Sequence, residues 1–358
     1  MTKGIMIQNK LEHIIRSFIS LNGSLSIEAY WNLCLLHPEH GYYITRDPLG
    51  RAGDFTTAPE ISQLFGEMIG IWAVEQWYKL GQPNAIYIVE CGPGRGTLMA
   101  DLLRIGKVIP EFIDAVQIHL IETSPSLRAK QGEALKGHQA VWHEDLSTLP
   151  DNAPLIVIGN EFLDALPIQQ YVVRGEECFE RVIGCDGDNL IFGLCPTPSP
   201  LIPLPEGRGN DFIFEISPAR ENYILDISAR IKSQTGAGLM IDYGHDVSGF
   251  GDTLQAVKNH HYTDVLKNCG EVDITSHVDF GRLKFIIEKA GLSVLLQSQG
   301  DFLKRLGVEE RAEQLIPKSP SVEADLHRLI DDDKMGRLFR VMEFFPHPTP
   351  HPLGRRLG

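Results

Sequence analysis

One strand–turn–helix junction constrains this chain more than any other feature. Ala85-Ile-Tyr-Ile-Val-Glu90 is a short apolar run of the kind buried on both faces of a parallel sheet. It runs directly into Cys91-Gly-Pro-Gly-Arg-Gly-Thr97, and a helical pattern follows over 97–104. A glycine-rich turn in that position lets the backbone bend tightly and approach a ligand with no Cβ in the way. The glycines run G-x-G-x-G, with Thr97 where a dinucleotide turn would carry its third glycine, and Glu90 stands two positions before the first. Both features favour S-adenosylmethionine over NAD. Glu90, Gly92, Gly94 and Gly96 are therefore the first candidate cofactor residues.

The rhythm that begins at this junction predicts the rest of a sheet. Strands are expected over 115–122, 140–143 and 155–159, with a helix over 125–136 that carries Pro125 at an early position. This βαβαβ order implies right-handed crossovers and a ligand crevice at the carboxyl ends of the strands. Over 168–216 the pattern changes to short strands at 169–173, 178–183, 190–194 and 212–216, broken by a Pro-rich stretch at 196–205. That segment reads as an inserted antiparallel unit. A helix over 219–233 and a strand over 239–243 return to the sheet, and a helix at 280–290 and a strand at 339–345 complete it.

Ahead of the sheet the chain reads as helical. Leu11, Ile14, Ile15, Phe18 and Ile19 recur at helical spacing until Asn22-Gly23, and Ser26 caps a second helix that stops before Pro38. Residues 40–60 read as a loop, followed by a helix with Ile61, Leu64, Phe65, Met68, Ile69 and Trp72 along one face.

Candidate chemistry sits at the strand ends. Glu122 closes the second strand, where a carboxylate can accept both ribose hydroxyls of an adenosine. Asp145, in Trp142-His-Glu-Asp-Leu146, stands where an adenine amino group is met, and Glu144 serves equally well. The fourth strand ends in Gly159-Asn-Glu-Phe-Leu-Asp-Ala-Leu-Pro167. Methyl transfer is a single displacement governed by orientation, so polar groups at that tip have to align the acceptor. Asn160 offers donor and acceptor groups and Glu161 offers charge, although a helix cap with first-turn acids uses the same residue types.

Composition narrows the partners. The formal net charge of −14 disfavours nucleic acid and is compatible with a basic protein substrate. No apolar run approaches the roughly 20 residues of a membrane-spanning helix. The first residues lack the marks of a secretory signal or an organelle presequence, so a cytoplasmic protein of bacterial type is expected. Six cysteines form no C-x-x-C pair, and His347 and His351 fall in a tail better read as Pro-rich than as metal-binding. No metal is expected.

Taken in order, several strings resemble the MidA family, methyltransferases related to the mitochondrial complex I assembly factor that methylates an arginine. They are His40-Gly-Tyr-Tyr43, Gly53-Asp-Phe-Thr-Thr-Ala-Pro-Glu60, Phe65-Gly-Glu67, Glu90-Cys-Gly-Pro-Gly-Arg-Gly96, Glu122-Thr-Ser-Pro-Ser-Leu-Arg128, Asn160-Glu-Phe-Leu-Asp-Ala-Leu-Pro167, Asp242-Tyr-Gly-His245 and Asp273-Ile-Thr275. The resemblance runs from about His40 to Gln299 and covers most of the chain. Phe162-Leu163 departs from it, standing where two aromatics are often found, which bears on pocket packing.

The resemblance implies an α/β class I (Rossmann-like) methyltransferase sheet with a helical N-terminal segment and an inserted antiparallel β unit. S-adenosylmethionine is the implied donor, and an arginine of a protein, such as a complex I subunit or its bacterial counterpart, the implied acceptor. On that reading Thr57 to Glu60 fold over the cofactor, so Thr57 and Glu60 join the cofactor residues. Asn160 and Glu161 lie at the reacting end, with Asp164 or Glu60 supporting Glu161. The organisation expected is an N-terminal helical segment with the cofactor-covering loop over 1–84, a cofactor core over 85–167, an inserted β-rich substrate unit over 168–216, the remaining α/β core over 217–345, and a tail over 346–358. A small-molecule methyltransferase and a non-catalytic assembly chaperone retaining the cofactor fold are the rival readings, and a homodimer is the further assembly considered.

Overall fold

The computed structural model describes residues 9–45, 57–104, 108–197, 212–258 and 261–347. The 53–56 part of the Gly53-to-Glu60 string, the 198–205 part of the Pro-rich break and the tail with His351 lie outside these residues. The principal sheet has seven main strands, numbered here in chain order: β1 (Ile86–Cys91), β2 (Val116–Ile121), β3 (Ala140–His143), β4 (Leu155–Asn160), β5 (Gly236–His245), β6 (Leu292–Ser298) and β7 (Phe339–Pro346). Their spatial order is β3-β2-β1-β4-β5-β7-β6. The first five run parallel, and β7 lies antiparallel between β5 and β6. The two-residue strand Val278–Asp279 continues along the end of β5.

Every residue of β1 is buried, because helices cover both faces of the sheet. Gln63–Lys79 and Thr97–Leu103 pack on one face, and Pro218–Gln234 and Phe280–Lys289 on the other. Such double cover explains why the strands read as continuous apolar runs. The chain steps outward from β1 to β3, then returns to β4 on the other side of β1. The crevice of a doubly wound sheet opens where the order reverses, here between the carboxyl ends of β1 and β4.

Several elements differ from the sequence expectation, among them β6, a strand for which the sequence reading made no place. The single helix expected from Ile61 to Trp72 is two, Ala58–Ile61 and Gln63–Lys79, parted by the extended backbone of Ser62. The longer helix is buried on nearly every side, not along one face, because later helices cover what the sheet does not. Those later helices, Gln299–Arg305, Val308–Leu315 and Ser321–Ile330, add Phe302, Val308, Ala312 and Leu329 to the same core. Thr57 to Glu60 is a helical turn after Thr57 rather than a loop.

The antiparallel unit contains Gln169–Arg174, Glu177–Asp186, Asn189–Pro196 and Phe212–Ile216. Leu25–Ser26, between the first two helices, adds a further strand against Ile183 and Val182. The N-terminal helices Lys10–Asn22 and Ile27–Leu36 share a core with Ile183 of this unit and with Val272 and Ile274 at the strand Asp273–Thr275, through Leu11, Ile15 and Trp31. Among the described residues no helix is long and apolar enough to cross a membrane.

Candidate active site

The glycine turn leaves β1 in a conformation that side chains oppose. Gly92 has φ +64° and Gly96 φ +82°, values at which an L residue is strained. A Cβ on Gly92 would stand 2.9 Å from Phe162, and one on Gly96 3.2 Å from the Gln131 backbone. Close packing and left-handed φ together require glycine at both positions.

A cavity opens over this turn. Of the residues singled out from sequence, Thr57, Glu60, Glu90, Gly92, Gly94, Asn160 and Glu161 line it, joined by Pro59, Pro93, Arg95, Thr97 and Leu98. Glu90 is 3% exposed, and burial pushes its carboxyl up to about 8. Its Oε2 has no hydrogen-bond partner among the described residues, and neither has Oδ1 of Asn160. Two buried acceptors lacking donors on one cavity suit a ligand that brings donors and positive charge. The ammonium and sulfonium of S-adenosylmethionine meet that description, and the glycines leave room for its backbone-hugging portion.

The remaining cofactor candidates lie outside the cavity lining. Glu122 is buried, and its carboxylate accepts from Ser124 N (2.7 Å) and Gln131 Nε2 (3.1 Å). Burial still raises its carboxyl above the ordinary range, against those hydrogen bonds. Gln131 escaped the sequence reading. Its amide also donates to Gly94 O (2.8 Å) and accepts from Trp142 Nε1 (2.8 Å), tying the glycine turn to Glu122. A fully buried glutamine on a helix carries no local signal of such a role. Asp145 is exposed and caps the short turn Leu146–Thr148 through Ser147 N, and hydrogen bonds from Ser147 hold its carboxyl below the ordinary range.

At the tip of β4, Asn160 and Glu161 reach the cavity together. Glu161 has φ +48° and is aimed by a hydrogen bond from its own N–H to Ile241 O (2.9 Å). Its Oε1 accepts from Ala58 N (2.9 Å) and Asn160 Nδ2 (3.3 Å), while burial pushes the carboxyl up to about 7. Glu60 accepts from the Thr97 hydroxyl (2.5 Å) and pairs with Arg95 (3.8 Å), so the helical turn Ala58–Ile61 is fastened to both sides of the crevice.

Asp164 does not join Glu161 and Asn160 on the cavity wall. Its carboxylate accepts from the Tyr243 hydroxyl (2.8 Å), and its N–H donates to Asp242 Oδ2 (3.0 Å). The buried Arg220 guanidinium donates to the carbonyls of Leu163 (2.6 Å), Asp164 (3.1 Å), Leu166 (3.2 Å) and His277 (2.8 Å). Beside this network the Tyr43 hydroxyl lies 3.1 Å from both carboxylate oxygens of Asp273. Strings with no role assigned from sequence, at Tyr43, Asp242-Tyr243 and Asp273, thus meet behind the β4 tip. Arg220 carries no motif, and only the fold reveals its place.

A Rossmann-like sheet with a G-x-G-x-G turn at its switch point, an unpaired acid behind the turn and polar groups at the next strand tip defines an S-adenosylmethionine-dependent methyltransferase. The comparisons agree. The family described as "Putative S-adenosyl-L-methionine-dependent methyltransferase" matches residues 68–297, and the chain belongs to it. "Protein arginine methyltransferase NDUFAF7, mitochondrial" of Xenopus laevis is 32% identical over 372 residues, spanning 94% of this chain and 84% of that protein. The human protein of the same name is 32% identical over 370 residues, spanning 94% and 83%. A Burkholderia thailandensis protein crystallised with S-adenosyl-homocysteine shares the fold with a TM-score of 0.80 at 26% identity, over 94% of this chain and 91% of that one. The cofactor of this enzyme is S-adenosylmethionine.

Proposed function

We propose that this methyltransferase N-methylates an arginine of a protein substrate, a subunit of respiratory complex I or its bacterial counterpart. The observation that carries this reading is the half-buried Glu161 carboxyl, which shares one cavity with the glycine turn and is raised to about 7. A guanidinium stays protonated at neutral pH, so a nitrogen of it becomes a nucleophile only beside a group that pairs with the cation and receives its proton. A carboxylate does both, and one with its range raised to about 7 is a better proton acceptor than an ordinary glutamate. The names of the relatives support arginine as the acceptor, and the MidA resemblance supports complex I.

In this reading S-adenosylmethionine supplies an electrophilic methyl group. Glu90 would meet its positive charge, the glycine turn would admit it, and Thr57 and Glu60 would cover it. Glu122 and Asp145, outside the cavity lining, would be left for the ribose hydroxyls and the adenine amino group. Asn160 holds Glu161 through Nδ2 and keeps Oδ1 for a donor on cofactor or acceptor. Glu161 would pair with the acceptor guanidinium, orient one of its nitrogens toward the methyl group and receive the proton that nitrogen gives up when the methyl passes to it from sulfur, leaving S-adenosyl-homocysteine.

Incubating the full chain with isotope-labelled S-adenosylmethionine and purified complex I subunits, followed by peptide mass analysis, tests this. Label on an arginine nitrogen is the expected result. Label on another residue type, or none with the cofactor bound, overturns it.

A further inference from the structure

We propose that Arg95 is a cofactor-binding residue whose guanidinium takes the α-carboxylate of S-adenosylmethionine. This rests on the cofactor sitting in the cavity over the glycine turn, and not on the identity of the methyl acceptor. The amino-acid end of the cofactor is a zwitterion, so a site for it has to answer a negative charge as well as positive ones. Glu60, Glu90 and Glu161 on the cavity wall are acids, and none of them attracts a carboxylate. Among the described residues that line the cavity, Arg95 is the only cation.

The backbone fixes where that cation stands. Arg95 lies between Gly94 (φ +53°) and Gly96 (φ +82°), two left-handed positions that glycine takes without strain. Gly96 N donates to Pro93 O at 2.7 Å, closing a tight turn with Arg95 at its third position. The Gln131 amide donates to Gly94 O at 2.8 Å and pins the same turn from the helix Pro125–Ala134. A side chain carried on so constrained a backbone is presented to the cavity from one point.

The ion pair that Arg95 makes there is a loose one. Its guanidinium is half-buried and lies 3.8 Å from the Glu60 carboxylate, beyond hydrogen-bond length. Glu60 is held more closely by the Thr97 hydroxyl, at 2.5 Å. A long, partly solvated ion pair contributes little, so turning the guanidinium toward a second carboxylate costs little. The planar fork of arginine matches a carboxylate with two parallel N–H donors, which a point charge does not. Glu90 and Arg95 then divide the zwitterion between them, the acid facing the ammonium and the guanidinium facing the carboxylate. Arg95 thereby selects an adenosyl thioether that carries an intact amino acid.

Calorimetric titration of the full chain with S-adenosyl-homocysteine, and with its decarboxylated analogue that keeps the ammonium, tests this. Arg95→Gln is expected to weaken S-adenosyl-homocysteine by about ten- to a hundredfold, while the analogue binds no more weakly than to the unaltered enzyme. Arg95→Lys keeps the charge and loses the fork, so a severalfold loss is expected on S-adenosyl-homocysteine and none on the analogue. Should Arg95→Gln not fold, Arg95→Lys decides alone. Equal losses for the two ligands in a folded variant overturn the contact with the carboxylate. Full S-adenosyl-homocysteine affinity in Arg95→Lys means a charge acting at a distance, and overturns the paired contact as well.

Discussion

The turns that leave β1 and β4 are neighbours, with Cys91 opposite Gly159 in the register, yet they are held in different ways. The first is largely local. Gly96 N bonds Pro93 O within the turn, Gly92 N bonds Ile121 O on the adjacent strand, and Gln131 is a distant support, 37 residues from Gly94. The second is assembled from across the chain: Ala58 and Ile241 hold Glu161, Asp242 and Tyr243 hold Asp164, and Arg220 holds the carbonyls between. The difference follows from what each turn has to do. Admitting a cofactor requires backbone freedom, which is a property of residue type. Handling the protonated guanidinium of the proposed acceptor would require carboxyls of adjusted ionisation, and that depends on neighbours of any sequence separation.

The comparison breaks most visibly at Glu161. Glu161→Gln keeps the size and removes the charge, and methyl transfer is expected to fall about 10²–10⁴-fold while calorimetry finds S-adenosyl-homocysteine bound nearly as before. A normal transfer rate in the folded variant would erase the distinction between the two turns. Gly94→Val tests the other side. At φ +53° a branched side chain is strained by about 2 kcal/mol, so cofactor affinity should drop roughly thirtyfold or more, and normal binding would show that the turn is not the cofactor's seat.

A smaller effect concerns pH. Glu90 moves from an ordinary 4.5 to about 8, so between those values the empty folded chain keeps a proton that the unfolded chain gives up. Stability therefore falls as pH rises through that window. A cationic ligand favours the ionised form, so S-adenosyl-homocysteine, which keeps the ammonium, should bind more tightly as pH rises toward 8, by up to about tenfold per unit. Titrations at several pH values read this slope, and Glu90→Gln should flatten it. A slope unchanged in that variant would place the cation elsewhere. Least in size, Glu122→Ala should weaken binding by roughly 1–3 kcal/mol and Gln131→Ala by about 1 kcal/mol. A double-mutant cycle should show the two to be coupled, and strict additivity would mean that Gln131 does not link Glu122 to the turn.

Much of the framework was legible because it obeys local rules. Double-sided burial marks β1 and β4, Gly23 ends the first helix, and Ser26 caps the second through Ala29 N. Where long-range packing overrode local pattern, the reading slipped. Ser62 breaks a helix that apolar spacing ran together, and Leu25–Ser26 pairs with a strand more than 150 residues away. The sequence reading gave no element to residues 299–330, where three helices add Phe302, Val308, Ala312 and Leu329 to the core under the sheet.

By itself the sequence determined the glycine turn, the strand that feeds it and the polar pair at the next strand tip, because glycine geometry and strand burial are written in adjacent residues. Only the tertiary structure decided that Asn160 and Glu161 share a cavity with Glu90 while Asp164 and Asp145 turn away from it. It also decided that Glu161 is poised near 7. Desolvation and through-space charge depend on which groups the fold brings close, and in this site those groups come from Ala58, Arg220, Asp242, Tyr243 and Arg328.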